Sequence, residues 1–586
     1  MTTQGSNSQL HSPENEKTTQ FPPLKTFLSE RPFLVSFMWS LMMVLPIGMV
    51  FRLYFQLPDD NLLCLLFNGL VYTDKPSEYN LVLNASLSLG IKYFYLHWPG
   101  VQWYTLTLIA TQFLALWGLL AALQLSSFPL FKSALFTLGA AVMVVHLFAE
   151  LEWTRTAAFA ATSGLVLLAA LWLRENKKHM IPGLVLALIL LVLSALIRFP
   201  TLPLMTLIAL PTLLYFFSKA MNRSVSLMVL SVLALTALSV IGSLWFQKAY
   251  YAKDPAWANS LKLLDLDGHL LSYRCPVYNE VTKPIFDSVG WTANDLELFK
   301  ESYCMDPSLF NIEKLEKLNA SFSRFGFNKN SEDSLPWMFS NPYTVLSLLF
   351  LTASFFFVPK GSRWFVGASV TWTLLVILFC LWAMKIPERI YLPCLYLQNC
   401  LALLLVVPAD PSALTSPFRF FSANRWGTIL LILFLLASGW MLTIQYSKNR
   451  YYLAREVELK EIMKQLDPQD DQLFLTWSTL FPFQEIGALD DHRLLEHFNV
   501  VGMSWFTWTP TTQAMLNRFK IKDFSRDIVD NPHVRFICAP VHFNLYRIHM
   551  KEKYGLDVVP QVLFMSDQFP VIAIRTAGFD KRKTNE

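Results

Sequence analysis

The chain has 586 residues, of which 54% are apolar and only 16% are charged, and its net charge is +5. A soluble domain usually carries about 25% charged residues, so the composition excludes a soluble protein. The mild net charge gives no sign of a nucleic-acid partner, and 7 cysteines are too few for a disulfide scaffold. The apolar residues collect in windows long enough to cross a bilayer core. The sequence therefore predicts a polytopic α-helical membrane protein with a C-terminal extracytoplasmic α/β domain.

In chain order, residues 1–32 are polar and are predicted to be a disordered cytoplasmic tail. About eleven candidate spans follow, and a twelfth apolar stretch at 80–98 is interrupted by Lys92. The eleven windows are 33–54, 102–124, 132–149, 156–173, 181–198, 201–218, 225–246, 343–358, 364–384, 391–407 and 426–446.

The basic short loops indicate the orientation of the chain in the membrane. Lys and Arg concentrate in every second turn, at 174–179, 218–224, 359–363 and 416–425, which the positive-inside rule assigns to the cytoplasm. A cytoplasmic N-terminus agrees with this assignment only if 80–98 does not cross the membrane, and an outside N-terminus is the alternative. We favour two helices lying on the outer membrane surface at 61–98, because Lys92 would be costly at mid-membrane.

The spans form two groups, at 33–247 and 339–447. One extramembrane unit lies between the two groups, and a second follows the last span. The loop domain at 248–338 contains Thr292 three residues before Asp295, the spacing of a helix capping box. It also contains Cys275 and Cys304, which would form a disulfide in an oxidising compartment or remain free thiols. The domain at 448–586 alternates five strand-like runs with helical stretches near 489–498, 512–529 and 542–553, which predicts a small α/β domain.

Several signatures of soluble enzymes are absent from the sequence. There is no glycine-rich phosphate loop, no GxSxG elbow, no HExxH and no CxxC pair. His492 and His497 stand five residues apart, so they would not share a helix face. We expect them on a solvated surface helix, and we predict no metal site from histidine or cysteine.

Charged residues gather instead at the predicted outer ends of the spans. In this layer lie Asp59, Asp60, Glu150, Glu152, Arg155, Arg198, Lys385, Glu388 and Arg389. One interpretation is that they are helix-end charges that meet water and lipid headgroups. The other is functional, because acids in otherwise apolar turns and outward-facing arginines beside spans are unexpected in a membrane protein.

Such a layer suits chemistry on a lipid phosphate. Arginine binds phosphate with two parallel hydrogen bonds, and a nearby carboxylate can accept the proton of an attacking hydroxyl. Adjacent acids such as Asp59 and Asp60 raise each other's pKa, so a proton or a divalent cation would neutralise one of them. Beyond a divalent cation, the sequence leaves the cofactor open. Trp103 and Tyr104 are placed to stack on a sugar or, alternatively, to belong to an interfacial aromatic belt.

The arrangement resembles the GT-C class of membrane glycosyltransferases, which use polyprenyl-phosphate-linked sugars. The acidic motif "PDDN" follows the first span and precedes the predicted surface helices, the acidic turn "ELEWTR" closes a later span, and the many-helix core ends in an extracytoplasmic soluble domain. The resemblance implies that Asp59 or Asp60 is the general base, and that Glu150 or Glu152 is a second acid that orients the acceptor or a metal. A WWDYG-type motif is missing from the sequence, which argues against oligosaccharide transfer to asparagine.

The sequence therefore predicts a multi-pass protein, bacterial inner membrane being favoured, that moves a sugar from a polyprenyl-phosphate donor to a cell-envelope glycan or lipid. Arg155, Arg198 and Arg389 would bind the donor together with Trp103 and Tyr104. Membrane lipids are the other expected partners. The alternatives are a polymerase or ligase of lipid-linked oligosaccharides, a transporter or flippase, and a non-catalytic assembly protein.

Overall fold

The computed structural model describes most of the chain, and eight of its helices are long and apolar enough to cross a membrane. The protein is thus a polytopic α-helical membrane protein, as predicted. The described residues are 30–70, 75–126, 142–173, 179–219, 223–273, 276–322, 336, 338–383, 386–405, 425–477, 480–495, 497–503 and 506–578.

The eight candidate spans coincide with eight of the eleven predicted windows. They are α1 (Pro32–Val50), α4 (Trp103–Leu125), α5 (Trp153–Trp172), α6 (Met180–Ile197), α7 (Thr201–Lys219), α8 (Arg223–Tyr251), α14 (Lys360–Ala383) and α16 (Arg425–Leu466). The buried faces of the first seven pack into one apolar core, whereas Phe434 and Met441 of α16 belong to a separate apolar cluster.

The three other predicted windows are not among the eight candidate spans of the described residues. The window 343–358 is α13 (Pro342–Phe357), which has only 16 residues. The window 391–407 is α15 (Glu388–Leu405), whose interior contains Pro393 and whose first turn is charged. Only the second half of the window 132–149 is described, and residues 142–149 are helical.

The stretch 61–98 contains two short helices, α2 (Pro58–Asn68) and α3 (Ala85–His97). Neither is long enough to span a bilayer. Lys92 of α3 forms an ion pair with Glu78, with 2.6 Å between Nζ and Oε2, so its charge is compensated within the protein. Their place on the outer membrane surface stays a prediction, as does the cytoplasmic N-terminus.

The chain returns repeatedly to the same end of the helix bundle, which we call the acidic end. Here β1 (Tyr54–Phe55), just after α1, pairs in parallel with β2 (Glu150–Leu151), just before α5. The backbone N–H of Asn84 donates to the carbonyl of Leu196 over 2.9 Å, which joins the start of α3 to the end of α6. The bundle therefore brings turns that are distant in sequence into contact at this end.

The C-terminal domain contains one five-stranded sheet of order β4–β3–β5–β7–β6. All five predicted strands are present, as β3 (Leu473–Trp477), β4 (Asn499–Met503), β5 (Val534–Ile537), β6 (Val558–Met565) and β7 (Pro570–Thr576). β3 is parallel to both β4 and β5, whereas β7 is antiparallel to β5 and β6. The helices α17 (Pro510–Arg518), α18 (Phe524–Asp527) and α19 (Pro540–Tyr554) connect the strands.

The loop domain is helical and shares an apolar core with the C-terminal domain. Its helices are α9 (Pro255–Gly268), α10 (Lys283–Asp287), α11 (Ala293–Lys300) and α12 (Ile312–Ser321). The predicted capping box of Thr292 and Asp295 begins α11. The indole N–H of Trp477 donates to the Glu301 carbonyl over 2.7 Å. Cys304 is buried, and Cys275 lies outside the described residues, so their disulfide stays a prediction.

Candidate active site

The short β1–β2 ladder is the framework of the candidate site. Tyr54 pairs with Glu150 and Phe55 pairs with Leu151, and both aromatic side chains are fully buried. Because Asp59 and Asp60 begin α2 just after β1, and Glu152 follows β2 directly, the ladder fixes the two acidic turns side by side. The sequence prediction that these turns converge agrees with this geometry.

Asp60 lies in the first turn of α2, with its side chain fully buried. The hydroxyl of Tyr104 on α4 donates to its Oδ1 over 2.6 Å, whereas its buried Oδ2 has no hydrogen-bond partner. Burial, together with the charge of Glu152, raises the pKa of Asp60 well above the usual range, although the Tyr104 hydroxyl acts in the opposite direction. Asp60 therefore has one oxygen held in place and one buried oxygen without a hydrogen-bond partner.

Glu152 is the N-cap residue of α5 and is also fully buried. Its Oε2 accepts a hydrogen bond of 2.6 Å from the backbone N–H of Arg155, which satisfies one of the free N–H groups at the helix start. Its Oε1 is buried and has no hydrogen-bond partner. Glu152 therefore repeats the pattern of Asp60: one oxygen is fixed by the protein and the other is buried without a hydrogen-bond partner.

Two arginines belong to the same charge cluster. Arg198 ends α6, and its electrostatic neighbours are Glu152, Asp59 and Arg389. Arg389, in the first turn of α15, also acts on Asp60. The guanidinium of Arg198 lies 6.0 Å from the ring centroid of Trp153, over its face. Acids and arginines from four different turns thus lie within electrostatic range of one another, and we call them the candidate catalytic cluster: Asp59, Asp60, Glu152, Arg198 and Arg389.

Two of the predicted site residues belong to a second, adjacent ion-pair network. Arg155, only 2% exposed, donates from Nη2 to Glu388 Oε1 over 2.7 Å and has Nη1 at 3.8 Å from Glu150 Oε2. Glu150 Oε1 contacts Lys448 Nζ at 2.7 Å and accepts from Gln445 over 2.8 Å. These partners lie on α15 and α16. Because both side chains are already engaged, this Glu150 network gives them a structural place rather than a free face for substrate.

The two predicted aromatic residues are placed differently from each other. Tyr104 is fully buried, and its ring lies 5.8 Å from that of Phe67 and 6.0 Å from that of Phe55. The stacking of a sugar on Tyr104 is therefore ruled out by the packing around it, and its contact with Asp60 is what the structure gives it instead. Trp103 is half-buried and stacks on Phe94 at 4.8 Å between centroids.

His492 corrects the prediction of a solvated surface helix. Its side chain is fully buried in a short 3-10 turn, His492–Leu495, and its Nε2 lies 3.1 Å from Oδ1 of Asn61, the residue next to Asp60. His497 is exposed and contacts Asp470, as expected for a surface residue. In the described part of the chain, no three His, Cys, Asp or Glu side chains group as metal ligands.

Arg52 is a site-forming residue that the sequence reasoning missed. Its Nε lies 2.6 Å from Glu456 Oε2 on α16, and its Nη2 donates to Asp490 Oδ1 over 2.6 Å. Tyr54 also donates to Glu456 Oε2, over 3.0 Å. Its position was informative: an arginine at the predicted outer end of the first span is unexpected under the positive-inside rule.

The chain was compared with protein-family models, curated proteins and solved structures. The chain is similar to ArnT from Cupriavidus metallidurans bound to undecaprenyl phosphate, with 12% sequence identity and a TM-score of 0.37 over 94% of this chain and 97% of that one. No protein-family model matches the sequence, and no curated protein matches it.

Proposed function

We propose that the protein is a glycosyltransferase that moves a sugar from a polyprenyl-phosphate donor to a hydroxyl acceptor at the acidic end of the helix bundle. The single observation that carries the proposal is a pair of fully buried carboxylates, Asp60 and Glu152, each with one oxygen that has no hydrogen-bond partner. Buried unsatisfied oxygens cost about 1–3 kcal/mol each, so their retention favours a ligand that bonds to them.

The reaction requires little more than these groups. The acceptor O–H attacks the anomeric carbon of the donor sugar while the bond from that carbon to the phosphate oxygen breaks. Asp60 accepts the hydroxyl proton through Oδ2, and the polyprenyl phosphate leaves with the bonding electron pair. The guanidinium groups of Arg198 and Arg389 stabilise the negative charge that grows on the leaving phosphate. Glu152 accepts a hydrogen bond from another sugar or acceptor hydroxyl and orients it.

The raised pKa of Asp60 fits this role. A general base works best when its pKa lies near the operating pH, and an exposed aspartate is too weak a base for that. Burial beside Glu152 moves the pKa of Asp60 in the required direction. Asp59 is less buried than Asp60 and adds negative charge beside it, so we assign Asp60 as the base and Asp59 as a group that tunes it.

The membrane position of the cluster supports a lipid-linked donor. The candidate catalytic cluster lies where candidate spans begin or end, since Glu152 precedes α5 and Arg198 ends α6. A lipid carrier keeps its phosphate at the level of the headgroups, which is where helices leave a bilayer. The acceptor would be a cell-envelope glycan or lipid, and the compartment would be the outer face of a bacterial inner membrane.

The test is transfer of labelled sugar in vesicles that contain the purified protein. A panel of undecaprenyl-phosphate monosaccharides serves as donors, and release of undecaprenyl phosphate is measured with and without candidate acceptors. We expect Asp60→Asn and Glu152→Gln to lower kcat by about 100-fold or more, the usual scale of a general base. Glu150→Gln is the matched control, because it changes a carboxylate of the adjacent network and should leave kcat within about 3-fold.

A second readout separates binding from chemistry. Arg198→Gln and Arg389→Gln should weaken the binding of undecaprenyl phosphate, measured by ligand-induced thermal stabilisation, whereas Asp60→Asn should not. Full turnover in Asp60→Asn would refute the assignment of the base. Binding without any transfer from the whole panel, combined with movement of the lipid across the vesicle membrane, would favour a flippase instead.

A further inference from the structure

We propose that the C-terminal domain fixes the position of the catalytic base. His492 and Asn61 are positioning residues that hold α2, and with it Asp60, in place relative to Glu152. This inference rests on the proposed function, because it assigns a role toward the same base. It gives the soluble domain a task in the chemical step that neither the composition of the domain nor its sheet would suggest.

Asn61 is the first link. It follows Asp60 on α2 and is fully buried. Its side-chain amide N–H donates to the backbone carbonyl of Phe483, in the C-terminal domain. Its Oδ1 must therefore be the acceptor toward His492, so Nε2 of His492 carries the proton over the 3.1 Å contact. Both ends of the Asn61 amide are thus used by one segment, residues 483–492, which we call the docking segment.

The docking segment also contacts β1 and α4. The backbone N–H of Ala488 donates to the Leu53 carbonyl over 2.8 Å, and Gly487 forms a β-bridge with Tyr54. The hydroxyl of Thr105, the residue after Tyr104, donates to the Ala488 carbonyl over 2.6 Å. The segment is therefore bonded to the three elements that surround Asp60.

Gly487 shows how closely the segment approaches. A Cβ added at this position would lie 3.0 Å from Nε of Arg52 and 3.0 Å from the carboxyl carbon of Asp490. Those two side chains form the ion pair beside it. The absence of a Cβ at Gly487 leaves room for this ion pair beside the backbone of the docking segment.

His492 is suited to hold a fixed position. Burial lowers its pKa to about 4, so the ring stays neutral at physiological pH and keeps one donor, on Nε2. A neutral buried donor adds no charge beside Asp60, where a positive charge would lower the pKa of the base. A fixed donor on a rigid domain is what a positioning role requires, since a misplacement of about 1 Å can cost about 100-fold in rate.

The first experiment measures position without any substrate. Amide hydrogen exchange of the full-length protein is followed in residues 58–68 for wild type, His492→Leu and His492→Gln. Leucine fills space but cannot donate, whereas glutamine keeps an N–H near the place of Nε2. We expect exchange in this helix to rise about 10-fold in His492→Leu, the effect of losing one hydrogen bond, and to return close to wild type in His492→Gln. His497→Ala, an exposed histidine of the same domain, should change nothing there.

The second experiment measures turnover in the same variants. We expect His492→Leu to lower kcat about 10- to 100-fold while KM for the donor changes less than about 3-fold, and glutamine to restore most of the loss. If the transferase assay fails for every donor, the exchange data still decide whether the segment positions α2. Exchange in 58–68 that is unchanged in His492→Leu would overturn the proposal, as would equal damage by leucine and glutamine.

Thr105→Val gives an independent check if His492→Leu does not fold. Valine has nearly the same shape as threonine but removes the donor to the Ala488 carbonyl. We expect faster amide exchange in 58–68 in this variant too, because the docking segment loses its hydrogen bond to α4. Faster exchange in the sheet with none in α2 would show that the segment serves only the stability of the C-terminal domain, and would overturn the proposal.

Discussion

The hydrogen bond from Tyr104 to Asp60 allows the role of the base to be tested through its pKa. Tyr104→Phe removes only the hydroxyl that donates to Oδ1 over 2.6 Å. A hydrogen bond to an ionised group is worth about 1.5–3 kcal/mol, and 1.36 kcal/mol corresponds to one pKa unit. Because the lost bond stabilised the ionised form, the pKa of Asp60 should rise by about 1–2 units in the variant.

The assay is the pH dependence of kcat in the vesicle transfer reaction. Since the ionised carboxylate is the active form, the ascending limb of the profile should move upward by the same 1–2 units. At a pH below the wild-type pKa of Asp60 the variant should be slower by about 10- to 100-fold, and the loss should shrink as the pH rises. Tyr251→Phe is the control, because Tyr251 is equally buried and accepts from the backbone of Asn80 and Leu81. Superimposable profiles for wild type and Tyr104→Phe would refute Asp60 as the base.

Three further predictions concern stability, measured as Tm of the full-length protein in detergent. Asp60→Asn should raise Tm by roughly 2–4 °C at pH 7, since a folded-state pKa raised above the usual value makes wild type lose stability as pH rises; an unchanged Tm would contradict this. Arg155→Met should cost about 1.5–3 kcal/mol by removing the hydrogen bond of the buried guanidinium to partly buried Glu388, whereas a substrate-only role would alter KM but not Tm. His549 lies between Asp295 and Asp306. Burial lowers its pKa, but the hydrogen bonds to the two acids outweigh burial, so the pKa of His549 is raised overall. The stability it provides should be lost as pH rises above about 6.5, and His549→Gln should flatten that dependence.

Much of the architecture follows from local sequence, because apolar windows and alternating strands carry their own signal. The five strands of the C-terminal domain lie within the predicted runs, and eight windows became candidate spans. In α15 local hydropathy is diluted by Pro393 and by two buried amides, Gln398 and Asn399. Both amides hydrogen-bond to neighbouring helices, Gln398 with Ser369 and Asn399 with Ser347, which no single window reveals.

The site could be predicted in outline but not in its division of labour. Counting the predicted spans, with 61–98 on the membrane surface, already places Asp60, Glu150 and Glu152 at one end of the bundle. Whether an acid there is free or engaged depends on partners far along the chain, such as Lys448 for Glu150. The sequence therefore predicted Glu150 and Glu152 as equivalent, and the structure distinguishes them.

His492 could not have been recognised from its surroundings in the sequence. The prediction treated the segment as an isolated helix, for which the spacing of two histidines was the only information. The partner of His492 is 431 positions away, and its burial results from the docking of the C-terminal domain on α2. An alternation of polar and apolar residues carries no trace of such a contact.

The length of α16 has a mechanical consequence. Its 42 residues extend about 63 Å at 1.5 Å per residue, roughly twice the 30 Å thickness of a hydrocarbon layer. One continuous helix thus joins the membrane-spanning part of the protein to the C-terminal domain, so a tilt of the spans also tilts the sheet. Where bilayer thickness changes the tilt of the helix bundle, the C-terminal sheet would therefore tilt with it.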